Sequence, residues 1–107
     1  MQSNKPLPVY NDGVCEVYTY DNQERILKVS SLRFANRTLG YKRFYAAQAA
    51  QNEITRVIRI PFVSGIDMHD YVDIQDEGTY TVEQSQVIME FTPPCIDLSL
   101  RFLEMNR

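Results

Sequence analysis

The chain has 107 residues, a formal net charge of −3, 44% hydrophobic residues and 23% charged residues. This length fits one domain and is too short for two independent cores, and the composition excludes a wholly disordered chain. No apolar run approaches the ~20 residues needed to cross a bilayer, and the first ten residues hold no signal-peptide hydrophobic region, so we expect neither a membrane protein nor a secreted one. Two cysteines, Cys15 and Cys95, are too few for a disulfide scaffold and favour synthesis in a reducing cytoplasm.

The small net charge conceals an uneven distribution along the chain. Residues 25–52 contain six basic residues and no acid: Arg25, Lys28, Arg33, Arg37, Lys42 and Arg43. Residues 60–100 contain eight acids and no Lys or Arg: Asp67, Asp70, Asp73, Asp76, Glu77, Glu83, Glu90 and Asp97. Such an asymmetry indicates a partner of complementary charge, unless folding interleaves the two segments and cancels the field. Both interpretations are open at this stage.

The first half of the chain predicts a hairpin followed by a helix. Residues 1–8 are expected to form a flexible N-terminal arm, and Asn11-Asp12-Gly13 has the composition of a turn. Two strands, 14–20 and 26–35, are joined across the polar residues 21–24. Residues 41–51 are rich in Ala and Gln and contain no Gly, Pro or β-branched residue, which favours a short helix. Its stripe at helical spacing consists of Tyr41, Phe44, Tyr45 and Gln48.

The second half of the chain predicts strands throughout. Alternating apolar residues mark strands at 53–62, 70–76 and 96–103. The residues predicted to point inward are Ile54, Ile58, Ile60, Phe62, Val72, Ile74, Ile96, Leu98, Leu100 and Phe102, and those predicted to point outward include Asp73, Asp97, Ser99 and Arg101. In the strand 79–91 the apolar phase changes from even to odd positions, which predicts a bulge at residues 84–86. The predicted fold is a small β-barrel or sandwich of about six strands, with one short α-helix inserted between strands two and three.

Catalytic chemistry is weakly represented. His69 is the single histidine, and nothing in the local spacing pairs it with a cysteine or serine nucleophile. The run Asp67-Met68-His69-Asp70 offers metal-binding residue types, but an exposed loop explains it more simply. The four glycines match neither the P-loop nor the dinucleotide fingerprint. We therefore expect a non-enzyme with no cofactor and no metal.

Nucleic-acid binding is a stronger candidate than catalysis. Basic and aromatic residues alternate in one segment, as they do in proteins that bind single strands: Arg33, Phe34, Arg37, Tyr41, Lys42, Arg43, Phe44 and Tyr45. The acidic overall balance opposes the basic footprint of a dedicated binder, and the aromatic stripe also fits the packing face of the helix. We keep a small nucleic-acid-binding barrel as the less favoured alternative.

An ordered set of motifs, covering residues 9–103, resembles a known family. It runs from Asn11-Asp12-Gly13 through Leu32-Arg33-Phe34, Gly40-Tyr41-Lys42-Arg43-Phe44-Tyr45-Ala46-Ala47, Ile54-Thr55-Arg56-Val57-Ile58-Arg59-Ile60-Pro61, Asp70-Tyr71-Val72-Asp73-Ile74 and Tyr80-Thr81-Val82 to Pro93-Pro94-Cys95 and Leu98-Ser99-Leu100. In order and spacing the chain is similar to the head-closure proteins of tailed bacteriophages, also called head–tail adaptors, connectors or stoppers. The similarity is greatest to the version found in phages and prophages of Gram-positive bacteria.

The resemblance implies a structural virion protein that is assembled in the bacterial cytoplasm. Such a protein forms a ring, typically of twelve copies, at the virion neck between the portal–adaptor complex and the tail proteins. The ring continues the channel for the packaged double-stranded DNA, contacts that DNA nonspecifically at most, and helps to retain it. The residues between the second and third strands, here 36–52, correspond to the family's functional excursion. A tail-completion or tail-terminator ring is the alternative position in the same virion.

A ring subunit needs two different complementary patches on one protomer. On one side we predict a surface that faces the ring interface or the channel, made of Arg37, Tyr41, Lys42, Arg43, Phe44 and Tyr45. On the other we predict an acidic partner face made of Asp67, Asp70, Asp73, Asp76 and Glu77. Charge would set the register of the contact and aromatic anchors would supply affinity.

Overall fold

Six antiparallel strands close into a barrel in the computed structural model, which describes residues 7–37 and 56–105. The strands are β1 (Gly13–Asp21), β2 (Glu24–Arg37), β3 (Arg56–Pro61), β4 (Tyr71–Ile74), β5 (Gly78–Ile88) and β6 (Cys95–Met105). Their order around the barrel is β1-β2-β3-β6-β5-β4, and β4 returns to pair with β1. The predicted six-stranded barrel is confirmed. The predicted helix over residues 41–51 lies outside the described residues.

The barrel interior is filled by the alternating residues that the sequence pattern selects. Ile58, Ile60, Val72, Ile74, Leu98 and Leu100 are completely buried, together with Val17, Phe34 and Val82 from the other three strands. Each such side chain contributes about 1.5–3 kcal/mol by leaving water. Every strand therefore supplies inward-facing residues to one core.

Two residues predicted to point inward lie beyond the ends of that core. Phe62 is 52% exposed because β3 ends at Pro61. Phe102 is 39% exposed and contacts Tyr80 edge to face. The pairing of β6 with β3 ends at Leu100, so Phe102 follows the point at which the interior is enclosed on that side. Periodicity gives the face of a side chain but not where the barrel ends.

The predicted interruption of the fifth strand is confirmed, one residue earlier than expected. The register of β5 against β6 shifts between Val82 and Gln84, so that Val87 lies opposite Ile96. Before the shift the even-numbered Val82 lies opposite the core residue Leu100 and is buried; after it the odd-numbered Val87 faces the same side, where it is 47% exposed. The bulge turns the last residues of β5 out of phase with its first residues.

The turn between β1 and β2 is tighter than the four polar residues suggest. Asp21 pairs with Glu24, which leaves a two-residue loop, and both of its residues have positive φ, 53° at Asn22 and 69° at Gln23. Positive φ at both central positions defines a type I′ turn, whose right-handed twist matches the strands. Asn tolerates this conformation well, but Gln is an unfavourable residue there.

Replacing Gln23 with glycine should stabilise the fold. Gln23→Gly removes the cost of a left-handed conformation, about 1–2 kcal/mol, but glycine also raises the entropy of the unfolded chain, which offsets part of this gain. We therefore expect the free energy of unfolding, measured in urea, to rise by about 0.5–1 kcal/mol. Ser85→Gly, in the extended strand β5, is the control and should lose about 0.5–1 kcal/mol. A loss of stability in Gln23→Gly would contradict the type I′ turn.

Candidate assembly surfaces

The described part of the basic segment lies along β2. Arg25 forms an ion pair with Glu16, and its guanidinium lies 3.9 Å from the centre of the Tyr18 ring. Arg33 and Arg37 are exposed and form no ion pair with any residue in the described ranges 7–37 and 56–105. Arg33 and Arg37 point to the same face because they are four residues apart in a strand. This end of β2 therefore presents two positive charges that no residue of the described ranges neutralises.

Lys28, from the basic segment (residues 25–52), pairs with acids from the acidic segment (residues 60–100). Its Nζ lies 2.7 Å from Oδ2 of Asp70, 3.2 Å from Oδ2 of Asp67 and 2.7 Å from the carbonyl oxygen of Gly65. Oδ2 of Asp70 also accepts the backbone N–H of Asp67 at 2.8 Å. Burial alone would lower the pKa of Lys28, but the hydrogen bonds to the two carboxylates outweigh it and raise that pKa. Folding thus cancels charge between the two segments at this position.

The two carboxylates that hold Lys28 should differ sharply in their effect on stability. The Asp70 side chain is 4% exposed and the Asp67 side chain is 79% exposed. Asp70→Ala should lower the free energy of unfolding by about 2–3 kcal/mol, because the Asp67 N–H loses its buried acceptor and the Lys28 ammonium keeps only the solvated Asp67 carboxylate and the Gly65 carbonyl. Asp67→Ala should cost under about 1 kcal/mol, as solvated pairs do. Equal losses in denaturant titrations would contradict this assignment.

The other three acids of the predicted partner face differ in the residues that they contact. Glu77 forms an ion pair with Arg56, whose Nη2 also donates to Oδ1 of Asn36 at 2.7 Å. Asp73 accepts a hydrogen bond from Oγ1 of Thr79 at 2.8 Å. Asp76 is exposed in the β4–β5 turn with a φ of 65°. Three of the five acids (Asp67, Asp70 and Glu77) therefore have cationic partners within the chain, and a face for another protein stays a prediction.

Arg37 is the residue of the predicted basic and aromatic surface that falls within the described ranges. Tyr41, Lys42, Arg43, Phe44 and Tyr45 lie outside the described residues. Arg37 is exposed at the end of β2, and its place in an interface or channel surface stays a prediction. Phe34, which belonged to the nucleic-acid pattern, is completely buried in the barrel core and cannot stack on a base.

The β1–β2 hairpin projects beyond the body of the barrel. Within the described residues, β1 pairs with β4 from Cys15 to Tyr18, and β2 pairs with β3 from Ala35 to Arg37. The residues from 19 to 27 therefore form a two-stranded ribbon. We call this ribbon the hairpin tip, and its large apolar side chains are exposed: Tyr20 (50%), Ile26 (41%) and Leu27 (48%).

An aromatic cluster fixes the base of the hairpin tip. Tyr18 stacks on Tyr71 of β4 with ring centres 5.3 Å apart, and Tyr20 meets both rings edge to face at 5.7 and 5.2 Å. Such contacts add about 0.5–1.5 kcal/mol each beyond burial. The ribbon is thus anchored to the barrel while its far end is solvated. The sequence signal that could have shown it is the adjacent pair Ile26 and Leu27, which places apolar groups on both faces of a strand.

The N-terminal segment contributes a second surface at the start of β1. A groove of about 180 Å³ is lined by Tyr10, Asn11, Gly13, Val14 and Arg33. We call it the Arg33 groove. Leu7 and Val9, which precede these residues, are 75% and 64% exposed. The groove therefore combines apolar side chains, from Tyr10 and Val14, with an arginine that forms no ion pair within the described residues.

The outer face of β3 and β6 is buried, which the alternation did not predict. Asp97 and Ser99 point away from the core as expected but are 5% and 2% exposed. Arg59 donates to both carboxylate oxygens of Asp97, at 2.7 and 3.0 Å, and its guanidinium lies 4.7 Å from the centre of the Phe91 ring. Burial, and then the neighbouring Cys95 thiol, raise the pKa of Tyr10 to about 12. Tyr10 and Phe91 thus help to cover a bidentate ion pair.

A second cavity, of about 280 Å³, is bordered by Glu16 and Asp73 together with Val14, Cys15, Ser31 and Gln75. Burial raises the pKa of the Cys15 thiol to about 12, so it is neutral and unreactive near neutral pH. Among residues 7–37 and 56–105, no group of three or more His, Cys, Asp or Glu side chains is arranged to hold a metal ion. His69 is exposed in the loop before β4 with a φ of 71°.

The described part of the chain contains no helix that is long and apolar enough to span a membrane. Comparisons with known protein families, with curated proteins and with solved structures gave no match.

Proposed function

We propose that the chain is a structural subunit of the neck of a tailed bacteriophage. In this role it forms a ring between the DNA-filled head and the tail, continues the DNA channel and closes it after packaging. The observation that carries the proposal is the order of motifs from Asn11-Asp12-Gly13 to Leu98-Ser99-Leu100, which extends over nearly the whole chain.

Two structural features support this role. The fold is a closed antiparallel barrel, and its long connection between β2 and β3, residues 38–55, corresponds in position to the family's functional excursion. A projecting ribbon with exposed apolar residues suits a protein that must contact neighbours on several sides.

Localisation on assembly intermediates tests the proposal. The chain would be tagged at its C-terminus and expressed with the other structural proteins of its phage, and filled heads without tails, free tails and complete virions would be separated. We expect the tag on filled heads and complete virions, and heads made without the protein should package DNA and then lose it.

The same separation distinguishes the alternative position. A tag on free tails and not on tailless filled heads would assign the chain to a tail-completion or tail-terminator ring. A tag on none of the three particles would overturn both positions. The untagged protein, detected by antibody, controls for interference by the tag.

A further inference from the structure

We infer that one copy of this chain binds the next by placing its hairpin tip against the neighbour's Arg33 groove. The inference deepens the proposed function, on which it rests, by naming the contact through which copies associate. It is argued from the charge, the exposure and the positions of these two surfaces within the described residues.

The hairpin tip carries an acidic end and apolar sides. Asp21 and Glu24 flank the turn, are exposed and form no ion pair with other residues in the described ranges. Arg25, the cation of the tip, is neutralised by Glu16. Tyr20 and Leu27 are each about half exposed. The tip therefore offers two negative charges beside a large apolar surface, which is costly to leave in water.

The Arg33 groove has the complementary chemistry. Arg33 lines it and Arg37 follows on the same face of β2, so two positive charges lie along one side. Tyr10 and Val14 supply apolar groups to its lining, and Leu7 and Val9, which precede Tyr10 in the chain, are exposed. The hairpin tip and the Arg33 groove are therefore opposite in charge, and both present apolar surface. Charge complementarity of this kind sets the register of a contact and accelerates encounter.

The two surfaces cannot meet within one copy. Gly13 begins β1 at the groove and Asp21 ends it at the tip, a separation of about 26 Å for a strand of this length. A contact between two different patches on copies of one chain is heterologous, and such contacts generate a ring when the rotation closes. A second copy is therefore the occupant that the observations favour.

Charge reversal on each surface tests the contact. One variant carries Asp21→Lys and Glu24→Lys, a second carries Arg33→Glu and Arg37→Glu, and a third carries all four changes. Glu90→Lys with Glu104→Lys is the matched control, because it reverses two exposed acids that lie outside both surfaces and outside the predicted acidic partner face. Self-association of the full chain is measured by sedimentation velocity at low and high salt, with circular dichroism to establish that each variant is folded.

We expect wild-type association to weaken with salt, and each of the first two variants to associate about a hundredfold more weakly. An equimolar mixture of those two variants, and the variant with all four changes, should recover association because opposite charges face each other again. The control should associate like the wild type.

Several results would overturn the contact: a wild type that stays monomeric, reversals with no effect, a control that weakens equally, or no recovery in the mixture. None of them affects the localisation test of the proposed function. A chain found at the neck whose association ignores these charges would retain the function and lose the contact.

Discussion

Asp97→Ala should lower the free energy of unfolding by about 3–5 kcal/mol, one of the two largest losses that we predict for a single substitution. Asp97 lies opposite Arg59 in the register of β6 and β3, and the two side chains are 5% and 11% exposed. Removing the carboxylate leaves a guanidinium that is mostly shielded from water without its bidentate partner. Urea unfolding monitored by circular dichroism measures the loss.

Two controls separate the burial of this pair from its charge. Glu16→Ala, which breaks the more exposed pair with Arg25, should cost under about 1 kcal/mol. Combining Asp97→Ala with Arg59→Met should cost less than Asp97→Ala alone, since no unpaired charge is then left buried. A double variant as unstable as the sum of its two single changes would show that the ion pair is not the cause.

Phe34→Ala should cost about 3–5 kcal/mol, because the ring is completely buried in the barrel core and truncation leaves a cavity. The ring also explains the glycine at the start of β1. A Cβ added to Gly13 would lie 2.6 Å from Cζ of Phe34, too close for either group to stay in place. Gly13→Ala alone should therefore cost about 1–3 kcal/mol through overpacking.

The two substitutions should be strongly coupled. In a Phe34→Ala background the added methyl group enters space that the ring has vacated, so the cost of Gly13→Ala should fall by about 1–2 kcal/mol. A double-mutant cycle from denaturant unfolding gives this difference directly. Additive losses would contradict the close approach of Gly13 to Phe34.

Much of the barrel could be predicted from sequence because period-two alternation is a local signal. Val72 and Ile74, and likewise Ile58 and Ile60, are buried as the pattern predicts. The change of apolar phase in the fifth strand likewise located a bulge to within about one residue. These features depend on neighbours in the chain, so a single sequence contains the information.

The remaining features depend on residues that are distant in sequence. The burial of Asp97 requires Arg59, 38 residues away, and a cover that includes Tyr10 and Phe91. The projection of the hairpin tip depends on where β3 and β4 end, which alternation within β1 and β2 does not show.

The predicted basic and acidic surfaces also depend on contacts between residues that are distant in sequence. Lys28 belongs to the basic segment and Asp70 to the acidic one, and folding brings them together across 42 positions. Counting charges along the chain therefore overstated both surfaces. Arg33 and Arg37 keep their charge exposed because no described acid reaches them, a property that only the fold reveals.

Electron cryomicroscopy of DNA-filled heads that have not yet joined tails tests the neck assignment most directly. We predict a closed ring of copies of this barrel below the portal–adaptor complex, coaxial with the DNA channel, and its loss from heads made without the protein. Filled heads that show no such ring, and look the same with and without the protein, would contradict the neck assignment.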